Sequence, residues 1–131
     1  CEKVCPIINH EVIENKAPTA YVVRTKNEND LMQSTSGGFS TPLAQWFFSK
    51  GGSVWTASYD NDWNVVHREF IRDDAEFSKT RGSKYVQSYL GEVYTKILDE
   101  LRQNKWVCFI GTTCQVYGLK LFLKKDYEDE I

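Results

Sequence analysis

The residues best placed to do chemistry are cysteines, foremost Cys114 in the stretch VCFIGTTCQVYGLK (107–120). There an apolar run breaks at Gly111, passes two threonines and the cysteine, and turns helical in pattern. A buried strand that bends sharply into a helix points the first helical amides, and the positive end of the helix dipole, at whatever occupies the turn. A thiol in that field tends to ionise below its reference value of about 8.5, and thiolate is the form that attacks or ligates. Three roles are open to Cys114: nucleophile, metal ligand, or small residue at a tight turn. A nucleophilic thiol usually needs a histidine base. Neither His10 nor His67 has a second functional group spaced near it, and both read as non-catalytic, so ligation is the favoured role.

CEKVCP (1–6) is the most specific local pattern. Cysteine, three residues, cysteine and proline form the closing half of the ferredoxin run C-x2-C-x2-C-x3-C-P, whose thiolates hold cubane iron–sulfur clusters. The first half is missing and no initiator Met opens the chain, so the sequence reads as a piece of a longer protein with further cysteines upstream. The alternative is a chance pair of cysteines near a terminus. Cys108 falls inside an apolar strand-like run and reads as packing. The placement of the four cysteines, two at the start and two around one strand end, is not that of a disulfide-stapled scaffold.

Two glycine-bearing turns could meet a ligand. In SGGFST, Ser36, Gly37 and Gly38 precede a helix whose amides could receive a phosphate, with a merely structural turn as the alternative. In RGSKY, Arg81 and Lys84 flank Gly82 and Ser83, so the two cations could steady an anion while Tyr85 stacks on a planar ring, or the string could be a solvated basic turn. Neither is a GxGxxG or a phosphate-binding P-loop sequence. Asp60 and Asp62 are most simply turn formers, and the closing DYEDE a solvated acidic end.

The elements that must position these residues follow from periodicity. TAYVVR (19–24) has strand composition, and KNENDLMQSTSGG (26–38) reads as a loop. Thr41 and Pro42 suit the N-cap and first position of a helix ending at Gly51-Gly52. SVWTASY and VVHREFI around DNDWN suggest a hairpin. From Ser88, Leu90, Val93, Tyr94, Ile97, Leu98 and Leu101 recur at helical steps. WVCFI follows as a strand, and a last helix carries Val116, Leu119, Phe122 and Leu123. The order predicts an α/β fold, with α+β as its near neighbour: a mixed sheet with helices packed on it, in a single domain.

Composition bounds the rest. The 131 residues, 41% hydrophobic and 14% aromatic, suffice for one real core. Sixteen basic against eighteen acidic residues give a formal charge of -2, which offers no field for nucleic acid. No apolar run approaches the roughly 18 residues of a membrane span.

Together CEKVCPIIN, TAYVVRTKNENDL, STSGGFSTPLA, SKGGSVW, RGSKYVQSYLGEVY and FIGTTCQVYGLKLFL resemble the coenzyme F(420) hydrogenase/dehydrogenase beta subunit family. The matching part is that family's N-terminal domain (19–131) behind the tail of a two-cluster ferredoxin segment (1–18). The resemblance implies a cytoplasmic oxidoreductase module carrying FAD and a 4Fe-4S cluster. Such a module passes electrons between ferredoxin-type clusters, or a redox partner protein, and a deazaflavin or other acceptor, in a setting similar to polysaccharide biosynthesis. On this resemblance Cys1 and Cys5 are ferredoxin-type ligands, and Cys114 is the cysteine of a GTPCQ-like motif, a ligand or a direct redox participant. Ser36, Gly37, Gly38, Gly82, Ser83, Lys84, Tyr85, Gly111 and Thr112 line the flavin or substrate. Two departures stand out: Thr113 stands where the family usually has proline, and the sequence stops at Ile131, before the family's C-terminal domain, so a flavin site shared between the two domains is expected to be incomplete in it and this piece can lack either cofactor. A non-catalytic interaction domain of a carbohydrate-assembly system is the alternative, and a thiol-dependent transferase using Cys114 a more distant one.

Overall fold

The structure, a computed structural model, describes residues 2–9 and 19–123. Its centre is a three-stranded sheet in the order β2-β1-β3, formed by β1 (Ser53–Tyr59), β2 (Val65–Phe70) and β3 (Val107–Ile110). β1 and β2 make the expected hairpin, antiparallel from Val54↔Phe70 to Tyr59↔Val65. β3 lies parallel to β1 on the other edge, from Ser53↔Val107 to Thr56↔Ile110. A mixed sheet with helices packed on it is therefore what the sequence forms, as its pattern predicts.

β1 is buried from Ser53 to Thr56, as a central strand covered on both faces must be. Helix α2 (Ser40–Ser49) packs on β1 and β3. Ala44, Val54, Phe70, Phe77 and Cys108 form the core, with Leu43, Phe47, Phe48 and Ile110 against it. Phe77, from the short helix α3 (Ala75–Ser78), meets Phe48 and Phe70 edge to face at ring centroid distances of 5.3 and 5.5 Å. Each aliphatic side chain buried this fully contributes roughly 1.5–3 kcal/mol. Helix α4 (Val93–Arg102) turns Val93, Ile97 and Glu100 inward and contacts β3.

Several local expectations are corrected. TAYVVR forms no strand: Tyr21 and Val22 are exposed, and strand propensity acts only where an edge is available to pair. The loop after it contains a helix, α1 (Glu28–Met32), capped by Asn27, whose Oδ1 accepts from the amides of Asn29 and Asp30. Thr41 is not the cap of α2. The cap falls two residues earlier, on Phe39, and Thr41 is buried in the helix's first turn. α4 starts at Val93 rather than Ser88, because Tyr89 is drawn onto β2: its amide donates to Val65 O at 2.8 Å and its carbonyl accepts from His67 N at 2.9 Å.

Two compact units are present. The larger, Val23–Ile110, contains the sheet and α1 to α4; the smaller joins the segments Cys1–Val22 and Gly111–Ile131. In the smaller unit a 3-10 turn (Glu2–Val4) contacts helix α5 (Thr113–Leu123).

α2 passes into β1 through Gly52, where a Cβ would lie 2.4 Å from Trp106 O and 2.8 Å from Trp106 Cβ. The absent side chain lets the amide of Ser53 reach that same carbonyl at 2.9 Å. Gly52→Ala is expected to lower stability by about 2 kcal/mol, measured by urea denaturation, because backbone rather than a flexible side chain must move.

Candidate functional site

The smaller unit carries the thiols. At the start of α5 the side chain of Gln115 reaches back and accepts from the amide of Thr112 at 2.9 Å, and the Thr112 carbonyl accepts the first helical bond, from Val116 N at 2.9 Å. This is the glutamine half of a T-x-x-Q capping box, legible in the sequence and missed there. It places Cys114 in the first turn, exposed, with its Sγ 3.2 Å from Thr112 Oγ1. Gly111 and Thr112 are exposed beside it. The first turn of α5 is where free amides and the dipole favour an anionic ligand or a thiolate.

Cys5 is half-buried, and its carbonyl is held by the amides of Ile8 and Asn9 and by Asn9 Nδ2 at 3.0 Å. It follows the 3-10 turn that contacts α5, so both thiol-bearing segments belong to one compact unit. Cys1 lies outside the described residues. Cys5, Cys108 and Cys114 are free thiols, and no group of three potential metal ligands occurs among the described residues. Cys108 is buried in the core, which pushes its thiol up to about 11.

The larger unit brings the two glycine-bearing turns together. Arg81 Nη2 pairs with Asp30 Oδ1 at 2.8 Å, both side chains being mostly buried; Nη1 donates to Gln33, and Nε to Thr41 Oγ1 at 3.4 Å. Thr35 and Ser83 hydroxyls lie 3.5 Å apart. One guanidinium thus ties α1, the start of α2 and the RGSKY loop. Arg81 is fully engaged by the protein itself.

The glycines before α2 serve the same closure. A Cβ at Gly37 would sit 2.4 Å from Val23 O; at Gly38, with φ +66, it would sit 2.9 Å from Thr25 Cγ2. Thr25 N donates to Gly37 O at 2.7 Å. Ser36 is exposed at the rim. Lys84 Nζ donates to the carbonyls of Thr80 at 2.7 Å and Gly82 at 3.2 Å and stands 5.6 Å over the Tyr59 ring. Desolvation lowers its pKa. Gly82, at φ +84, and Ser83 face open space, and Tyr85 is 94% exposed.

RGSKY leads into a cleft of about 520 Å³ lined by Asp60, Trp63, Asn64, Val86, Gln87 and Tyr89, which sequence reasoning did not find. Asp60 Oδ1 accepts from the amides of Asp62 and Asn64 and closes the hairpin turn. Trp63 sits there at φ 62, a left-handed conformation that glycine or asparagine adopts more readily, with its ring exposed. A tryptophan in DNDWN was the available signal. No protein-family model matches this chain, and no curated protein matches it significantly. The family resemblance rests on the motifs alone.

His67 is a structural histidine. Its Nε2 lies 3.0 Å from Ile110 O and its Nδ1 2.8 Å from Ser88 Oγ, and its ring stacks on Phe109 at 5.0 Å. Desolvation lowers its pKa against the pull of the Ile110 carbonyl, so the ring is neutral at neutral pH.

Arg81→Ala leaves the Asp30 carboxylate without its cation and is expected to cost about 2 kcal/mol, with Arg81→Lys recovering only part, in chemical denaturation. Iodoacetamide on the folded protein is expected to label Cys114 and spare Cys108, read by peptide mass spectrometry, with Cys108 reacting only in denaturant.

Proposed function

We propose that the chain is a module of a flavin- and iron–sulfur-dependent oxidoreductase of the coenzyme F(420) hydrogenase/dehydrogenase beta subunit type. Its role is to pass electrons between ferredoxin-type 4Fe-4S clusters and a deazaflavin or other acceptor. The observation that supports this reading is the small unit, in which the 3-10 turn of the CEKVCP segment contacts the helix that GTTC opens. Their thiols are 109 positions apart in sequence, Cys5 against Cys114, yet they belong to one body.

Thiols are the donors that cubane clusters take, four at a time. Cys1, Cys5 and Cys114 are donors of this type; as the third and fourth cysteines of a ferredoxin run, Cys1 and Cys5 need not share one cluster, and the exposure of Cys114 leaves its sulfur accessible. The positive end of the α5 dipole would offset the negative charge that thiolate ligation brings. Flavin supplies two-electron chemistry to a partner, and clusters accept the electrons singly. In the larger unit, Ser36, Gly82, Ser83 and Tyr85 are the assigned motif residues left facing solvent and so available to a flavin or substrate. Gly37, Gly38 and Lys84 shape that surface from behind, through the chain's own carbonyls and side chains.

A second reading has an observation of its own. Because Arg81, Lys84 and the paired glycines are engaged within the protein, and because the exposed Trp63, Val86 and Tyr89 line one cleft, a non-catalytic interaction domain is also consistent with the larger unit. The absorption spectrum separates the two. The full natural polypeptide, purified without oxygen and reconstituted with iron, sulfide and FAD, is expected to show flavin bands above a broad iron–sulfur absorption, part of the latter lost in Cys114→Ser. A folded but colourless protein would overturn the redox reading in favour of the interaction domain.

A further inference from the structure

The turn that joins β1 to β2 holds a tryptophan where its backbone suits glycine or asparagine. Trp63 has φ 62, and a bulky side chain in that left-handed region is strained. Burial does not offset the strain, because the ring is 79% exposed and meets Tyr59 only at a tilted 5.9 Å. The turn closes without it: Asp60 N donates to Asn64 O at 2.9 Å, and Asp60 Oδ1 accepts from the amides of Asp62 and Asn64 at 2.9 and 2.8 Å. An exposed and strained residue in a turn that closes through other groups points to a partner for its ring.

The cleft of about 520 Å³ that Trp63 lines shows what that partner is. Tyr89, 73% exposed, lines it from a second segment, and the charged group in its lining is Asp60, with no lysine or arginine there among the described residues. Desolvation acts to raise the Asp60 pKa, but the hydrogen bonds from Asn64 and Asp62 outweigh it and hold the carboxyl below its usual range, ionised at neutral pH. The Asn64 amide nitrogen, a donor that an anion or a sugar hydroxyl would need, is turned onto the two Asp60 oxygens at 3.2 and 3.4 Å. Ring faces beside one carboxylate suit a weakly hydrated cation, because the ring quadrupole is negative over its face. The neighbouring ring already holds one. Lys84 Nζ stands 5.6 Å over Tyr59, its charge met by the carbonyls of Thr80, Arg81 and Gly82, and Trp63 is left for a cation from outside.

We propose that this cleft binds a small quaternary ammonium compound, its methyl groups against Trp63 and Tyr89 and its charge toward Asp60. The site requires neither flavin nor cluster, so it stands apart from the redox reading. It also separates two roles for Trp63. A ring kept for the stability of the turn is missed when removed, whereas a ring kept for a ligand is removed without harm to the fold, since glycine adopts φ 62 freely.

The test is an NMR titration of the full chain with choline chloride at constant ionic strength. It is followed by the Trp63 indole N–H signal and, for the variant, by saturation transfer to the choline methyl protons. A saturable shift with Kd in the millimolar range is expected, with dimethylbutanol, the neutral carbon isostere of choline, binding about fivefold more weakly. Trp63→Gly is expected to lose the binding while its Tm stays level or rises. No shift at about 100 mM choline, where a millimolar site is filled, would overturn the proposal. So would an equal response to the neutral isostere, binding that survives in Trp63→Gly, or a Tm several degrees lower in that variant.

Discussion

Everything in the larger unit depends on β1 being paired along both edges. A strand whose residues are buried from Ser53 to Thr56 cannot leave amides and carbonyls unpaired away from water. Its antiparallel bonds to β2 come from a short turn and close locally. The parallel bonds to β3 require the chain to travel through α3 and α4 before returning. β3 is only four residues long, yet it completes the ladder and carries Cys108 into the core. Gly52 sits at the entrance because two backbones meet there, with no room for a side chain between them.

Around this sheet, buried charges decide which elements meet. Arg81 and Asp30 join a loop to a helix 51 residues away, and Glu100 joins the end of α4 to the start of β1. Replacing such pairs with apolar groups is often neutral in net stability, whereas stranding one partner is costly. Their effect is therefore geometric. The Arg81 guanidinium, with a direction for each of three partners, brings the SGG and RGSKY turns to one place, and that proximity is what makes a shared surface of two separate motifs.

The cysteines show how environment separates residues of one type. Cys108, in a strand facing the core, has its ionisation suppressed by desolvation and serves as a small apolar side chain. Cys114, six residues on, is exposed at a helix start with a threonine hydroxyl beside it. One turn of backbone, at Gly111 and Thr112, makes that difference.

By itself the sequence determined the hairpin, the last strand and helix, the amphipathic face of α4 and the chemical candidates, because each is written in short-range periodicity or in residue type. Cys114 at a helix start and Cys108 in the core were legible for the same reason. The tertiary structure decided what depends on distant partners. Strand-like TAYVVR forms no strand, Tyr89 is taken by β2 and delays α4, and Arg81 turns inward to pair with a mostly buried Asp30. Likewise the glycines of SGG pack against residues 23–25, and Glu100 meets Ser53 and Trp55, only because the fold brings distant segments together. Propensity acts over a few residues, while burial and charge compensation act across the whole unit, and where the two compete the second prevails.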